Sequence, residues 1–153
     1  MQKSCLLYTS FKEKGLAGPA VLGLFEDSKG IFWFGNNGAG LFSYDGKVLT
    51  NFTEEKGLNN ADFLATSKPG SGTLGRVYCI NEDNDGNIWI GTVDTGVWKY
   101  DGNVLTNYTT KDGLTSNAVN TIYKDKKGAL WFGTDSNGIC KFNGVKFTEF
   151  VFK

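Results

Sequence analysis

Residues 77–102 read VYCINEDNDGNIWIGTVDTGVWKYDG, and the same pattern occurs three times in the 153-residue chain. Val21–Phe52, Val77–Tyr108 and Val119–Phe150 superimpose without gaps. Eight columns are identical in all three copies: Val21/Val77/Val119, Asp27/Asp83/Asp125, Gly30/Gly86/Gly128, Trp33/Trp89/Trp131, Gly35/Gly91/Gly133, Gly40/Gly96/Gly138, Gly46/Gly102/Gly144 and Thr50/Thr106/Thr148. Trp33 and Trp89 are 56 residues apart, Trp89 and Trp131 only 42. The shorter period is that of a four-stranded propeller blade. The extra residues of the longer one fall between Leu58 and Val77.

Each copy reads as four strands divided by turn residues. The first ends in an acidic turn, such as Asp83-Asn84-Asp85-Gly86, where Asp bonds the backbone ahead and Gly supplies positive φ. The second strand is a continuous apolar run, such as Ile88-Trp89-Ile90, which predicts a strand covered on both faces. The third begins to alternate and ends at Asp45-Gly46, Asp101-Gly102 or Asn143-Gly144, strong hairpin signals. The fourth is the most polar, as expected of an outer strand. A two-layer sandwich would instead alternate apolar and polar faces. The fold class is therefore all-β, with propeller blades in series.

The pattern Val-x-x-Ile-x-x-Asp-x-x-Gly-x-x-Trp-x-Gly-Thr, followed by Gly and an aromatic-Asp-Gly ending, resembles the two-component regulator propeller repeat. Val77–Gly102 is the nearest copy; the first departs at Asn36, where the family has Thr, and the third at Asn143, where it has Asp. The expected organisation is a preceding outer strand and linker at 1–18 (Leu7-Tyr8-Thr9), then blades at 19–58, 77–117 and 118–153, with an inserted loop at 59–76. Closed propellers need about 4–8 blades, so three leave the ring incomplete unless chains associate. Head-to-tail self-association, a dimer ahead of a trimer, competes with excision from a longer propeller array.

Composition removes several functions. Basic and acidic residues balance at 16 each with no basic run, which argues against nucleic acid or an anionic membrane surface as partner. Histidine is absent, and with it every imidazole-dependent triad and the commonest metal ligand. Cys5, Cys79 and Cys140 are far apart and without zinc-ligand spacing; they read as free thiols. No cofactor is expected. Asn81-x-Asp83-x-Asp85-Gly86 begins like a calcium loop, but Thr92 stands where a bidentate Glu belongs, so the turn reading prevails. Asn51-Phe52-Thr53 and Asn107-Tyr108-Thr109 match the glycosylation sequon and read as outer-strand residues. Trp33, Trp89 and Trp131 read as core, with Trp98 nearer the rim.

The apolar stretch at the N-terminus is too short for a signal peptide, and no segment is long enough to insert in a membrane. The resemblance implies a periplasmic or extracellular setting if the chain is an excised piece, and a sensing role in which glycans are the implied ligands. Three classes of function follow: a non-catalytic ligand-binding or sensing module, a protein-interaction scaffold, and, with least support, a carboxylate-dependent lyase or glycosidase. The loops between second and third strands vary while the framework does not, so recognition is expected there. They share a face with the inserted loop. Asn37, Arg76, Asp94 and Asp135 are the candidate ligand contacts, being polar and on that face, with Arg76 just before an inner strand.

Overall fold

The computed structural model describes residues 20–58, 74–135 and 138–151. They form three four-stranded antiparallel meanders. The first runs β1 (Val21–Glu26), β2 (Phe32–Asn36), β3 (Gly40–Tyr44), β4 (Leu49–Asn51); the second β5 (Val77–Glu82), β6 (Ile88–Thr92), β7 (Val97–Tyr100), β8 (Leu105–Tyr108); the third β9 (Val119–Lys124), β10 (Leu130–Thr134), β11 (Ile139–Phe142), β12 (Phe147–Phe150). Within each sheet the strands pair in chain order. The sheets stack in series, with the inner strands β1, β5 and β9 brought together. The expected strand at Leu7-Tyr8-Thr9 and most of the inserted loop lie outside the described residues.

The repeated columns do identifiable work. Gly30, Gly86 and Gly128 sit at φ 79, 80 and 83° in the turn after each inner strand, a region costly for any residue with a Cβ. The Asp that opens this turn accepts backbone N–H groups with one oxygen: Lys29 and Ile31 reach Asp27 Oδ1 at 2.9 Å each. Its other oxygen accepts the indole N–H six residues on. Trp33 Nε1 lies 2.9 Å from Asp27 Oδ2, Trp89 Nε1 2.7 Å from Asp83 Oδ2, and Trp131 Nε1 2.8 Å from Asp125 Oδ2. One carboxylate thus closes the turn and fixes the tryptophan rotamer.

Two cores fill the two spaces between sheets. Trp33, Leu41 and Phe52 of the first blade pack on Val77, Ile80, Ile90 and Trp98 of the second. Trp89 and Val97 pack on Val119, Ile122, Phe132, Cys140 and Phe147 of the third. A Cβ on Gly35 would stand 2.6 Å from Val77 Cγ1, and one on Gly91 would stand 3.1 Å from Val119 Cγ1. These glycines admit the next blade's valine. Strand β6, in the middle sheet, is buried at every position as its apolar run predicts. The same reading fails for β10, whose burial alternates. Phe132 faces the second blade, whereas Trp131 points to the other side, where no described sheet covers it. Trp98 is core rather than rim, 7 % exposed, with its indole N–H on Thr95 Oγ1 at 3.2 Å.

Two details depart from the expected strands. The first blade's outer strand ends at Asn51, and Phe52–Glu55 forms a helical turn, α1, capped by Asn51 Oδ1 on the Glu54 N–H at 3.1 Å. Both sequon asparagines are engaged, since Asn107 Nδ2 donates to the Thr95 carbonyl at 2.8 Å. Among the described residues no helix is long and apolar enough to cross a membrane.

Candidate functional site

The backbone that carries the candidate contacts is framework. The carbonyls of Ala20, Arg76 and Ala118, one column of the repeat, accept the N–H groups of Asn37, Val93 and Asp135, another column, at 3.4, 3.1 and 2.9 Å. Each blade therefore holds the start of its second loop against the residue before its own inner strand. In two copies that residue is alanine; in the middle copy it is arginine. The fold fixes the position and leaves the side chain to do something else.

Arg76 reaches across to the first blade. Its Nε donates to Asn37 Oδ1 at 3.0 Å, and the two residues form an antiparallel bridge, continued by the Gly38 N–H on the Gly75 carbonyl at 2.9 Å. On the other side its guanidinium lies 3.7 Å from Asp94 Oδ2, the two side chains 23 % and 20 % exposed. Three of the four candidates, Asn37, Arg76 and Asp94, thus meet where the first and second blades adjoin. Asp135 does not join them. It occupies the corresponding loop of the third blade, exposed, and no hydrogen bond or ion pair links it to the cluster among the described residues.

The loops presenting these groups are pinned from below. Thr92 Oγ1 accepts the Thr95 N–H at 3.0 Å, lies 2.9 Å from Thr95 Oγ1 and donates to the Gly96 carbonyl at 2.8 Å. Both threonines are buried, so Asp94 rides on a rigid arch. In the first blade Asn36 replaces threonine and serves the same end: its Oδ1 accepts the Ala39 N–H at 3.0 Å and its Nδ2 donates to the Ala20 carbonyl at 3.1 Å. Burial pushes the Asp94 carboxyl above the usual aspartate range, against the opposing pull of the Arg76 charge. The cluster combines a cation that only donates, a carboxylate that accepts and an amide that does both.

Other polar groups that could suggest chemistry are already occupied. Glu82, 6 % exposed, accepts the Ser28 N–H at 3.0 Å and the Ser28 hydroxyl at 2.7 Å, tying the first blade to the second. The periodicity gave no sign of this contact. Asp83 closes its turn with Asn87, Asp85 and Trp89. Among the described residues no group of three or more acidic or cysteine side chains is placed to hold a metal ion. Cys79 is half-buried and Cys140 buried, both as free thiols.

The two-component regulator propeller model matches residues 15–38, 71–94 and 113–136. Among solved structures the chain is similar to the extracellular domain of a hybrid two-component system from B. thetaiotaomicron, with a TM-score of 0.68 and 23 % identity over 88 % of this chain and 19 % of that one. It is also similar to PorZ, a surface component of the type-IX secretion system of Porphyromonas gingivalis, with a TM-score of 0.54 and 21 % identity over 83 % of this chain and 18 % of that one. These are likenesses of fold, and the chain spans about a fifth of the length of either structure. No curated protein matches it in sequence.

Proposed function

Because the chain is built from three two-component regulator propeller repeats, we propose that it is a non-catalytic ligand-recognition module working outside the cytoplasm, and that its ligand is a carbohydrate held by Arg76, Asn37 and Asp94. The observation that carries the reading is Arg76 itself: a charged side chain in a column otherwise occupied by alanine, joined to polar groups of two blades on the loop face. A framework role does not call for it. A sugar's vicinal hydroxyls each donate and accept, and a guanidinium beside a carboxylate and an amide offers partners of both kinds. The extracellular setting is supported by the solved domain from B. thetaiotaomicron, which shares the fold. A non-catalytic role is supported by the engagement of the turn carboxylates Asp27, Asp83 and Asp125 in holding tryptophans.

The test is a thermal-shift screen against neutral and acidic oligosaccharides, followed by titration calorimetry on any that stabilise the protein. Arg76→Ala is expected to weaken binding at least about ten-fold while shifting the unfolding midpoint of the free protein little, as for a partly exposed side chain. Equal affinity for the wild type and for the Arg76→Ala and Asp94→Ala variants would overturn the assignment. A screen without a stabilising sugar, together with a protein captured through this face, would favour the scaffold reading.

A further inference from the structure

The dipeptide Asn-Gly occurs three times in the sequence, at Asn37, Asn137 and Asn143; Asn137 lies outside the described residues. Asn143-Gly144 opens the exposed hairpin loop between β11 and β12, in the column that Asp45 and Asp101 hold in the other blades. We propose that Asn143 is a deamidation site of the folded protein, converted by water without an enzyme, and that the carboxylate it yields takes the place aspartate holds in the first two blades.

The step uses groups of the loop itself. After giving its proton to solvent hydroxide, the Gly144 amide nitrogen attacks Asn143 Cγ. The Cγ–Nδ2 bond breaks, and Nδ2 leaves as ammonia with a proton taken from water. Water then opens the cyclic imide: attack at Cγ gives aspartate, attack at the main-chain carbonyl gives isoaspartate. Nothing is oxidised or reduced. Asn143 Oδ1 accepts the Val145 and Lys146 N–H groups at 3.0 and 2.9 Å, donors that polarise the side-chain carbonyl and stabilise the oxyanion formed on attack. Among the described residues no acceptor meets the Gly144 N–H, and a Cβ built on Gly144 would meet nothing within 4 Å, so hydroxide reaches the nitrogen. In the first two blades the Tyr44 and Tyr100 hydroxyls donate to the Gly46 and Gly102 carbonyls at 2.8 and 2.7 Å. The third has Phe142 in that column, so its glycine lacks the clasp.

Asn37-Gly38 is the contrast. The Gly38 N–H already donates to the Gly75 carbonyl at 2.9 Å, and Arg76 Nε holds Asn37 Oδ1 at 3.0 Å. That nitrogen stays engaged until the junction of the first two blades opens. The product also suits the third loop. Asp45 Oδ1 accepts the Lys47 and Val48 N–H groups at 2.8 and 2.7 Å, and Asp101 Oδ1 those of Asn103 and Val104 at 2.8 and 2.7 Å. These bonds hold both carboxyls below the usual aspartate range. A charged acceptor in the third loop strengthens the same pair of bonds.

Peptide mapping of the folded protein during incubation in mildly alkaline buffer tests this. Trypsin isolates Asn143 in Phe142–Lys146, Asn137 in Gly128–Lys141 and Asn37 in Gly30–Lys47. Asn143 is expected to gain the amide-to-acid mass at least about ten-fold faster than Asn37, the factor that one net hydrogen bond supplies, with a matching acidic species on ion exchange. In guanidinium chloride, where both pairs lose their surroundings, the two rates should agree within about three-fold. Phe142→Tyr, which supplies the hydroxyl of the other blades, should slow conversion of Asn143 and leave Asn37 unchanged. Asn143→Asp should melt no lower than the wild type; a lower midpoint would overturn the second half of the proposal. No mass gain at Asn143 in the time the unfolded chain converts, or equal rates at Asn143 and Asn37 in the folded protein, would overturn the first.

Discussion

The sharpest physical test of the blade concerns the carboxylate shared between turn and tryptophan. Asp27 and Trp33 are 8 % and 6 % exposed, and their bond is 2.9 Å long. In Asp27→Asn, Oδ1 can still accept the Lys29 and Ile31 N–H groups, but the amide nitrogen then faces the indole N–H, donor against donor. Turning the amide over only moves the conflict to the backbone. The bond to a charged acceptor contributes about 1.5–3 kcal/mol, and a buried N–H without a partner costs a similar amount. Asp27→Asn should therefore destabilise by about 2–3 kcal/mol. Trp33→Phe removes the donor and some bulk, at about 1–2 kcal/mol, below the ~3–5 kcal/mol of truncation to alanine. In the double variant the conflict is gone, so the costs should fall short of additivity by about 2 kcal/mol. Urea unfolding followed by far-ultraviolet circular dichroism, at one fixed protein concentration, measures the cycle without relying on tryptophan emission. The Asp125–Trp131 pair is the internal control. Its bond is 2.8 Å, but water reaches the less buried Trp131, so its coupling should stay below about 1 kcal/mol. Additivity within about 0.5 kcal/mol at Asp27–Trp33, or equal coupling at both pairs, would refute the reasoning.

Two further outcomes follow from the same carboxylates and from the core. At Asp83 burial raises the carboxyl pKa, but hydrogen bonds from Trp89 and Asn87 outweigh it and the net shift is downward; at Asp125 the Trp131 indole and the Ala129 N–H lower it. A folded pKa below the unfolded one means that the stabilisation is complete above the ordinary carboxylate pKa, about 4, and is lost as pH falls through the folded value; the melting temperature should drop steeply only below about pH 4, and a fall centred near pH 6 would contradict this. Burial pushes the Cys79 thiol up to about 12, so peptide mapping after maleimide treatment of the native protein at pH 8 should find Cys79 unmodified, and rapid labelling there would show that the blade-to-blade core is open.

How far the sequence could be read depended on whether a feature repeats. The turn glycines, the doubly covered β6 and the hairpins at Asp45, Asp101 and Asn143 were legible because three copies set each column beside the others. The indole-to-carboxylate bond was equally repeated, at a constant six-residue spacing from Asp27, Asp83 and Asp125, yet turn chemistry alone accounted for the aspartates and concealed it. Helix α1 was readable only locally, from Asn51 three residues before Glu54, a cap signal that overrides the outer strand in that copy. The Ser28–Glu82 bond left no trace, because it joins different columns of different blades. The same holds for Arg76 and Asn37: sequence placed both on the loop face, but their contact depends on how one blade seats on the next.

This division follows from the architecture. In a serial array each blade touches only its neighbours, so the residues that hold it together do one of two jobs: they shape their own meander or they seal a junction. Identity across copies marks the first job, as with Gly30, Gly86 and Gly128. A contact between different columns of neighbouring blades marks the second, as where Ser28 meets Glu82. A lone departure inside a framework column can add to the second, and Arg76, in a column otherwise held by Ala20 and Ala118, is such a departure, bonding Asn37 across the junction. The backbone hydrogen bond at that position is kept in all three copies, so replacing arginine with alanine leaves it in place while removing the side-chain bonds to Asn37 and Asp94. What the arginine adds is a charge at a blade junction, held between Asn37 and Asp94 on loops that buried Thr92, Thr95 and Asn36 make rigid. A side chain held on rigid backbone is the condition for selective binding at low entropic cost, and Arg76 meets it at the junction of the first two blades.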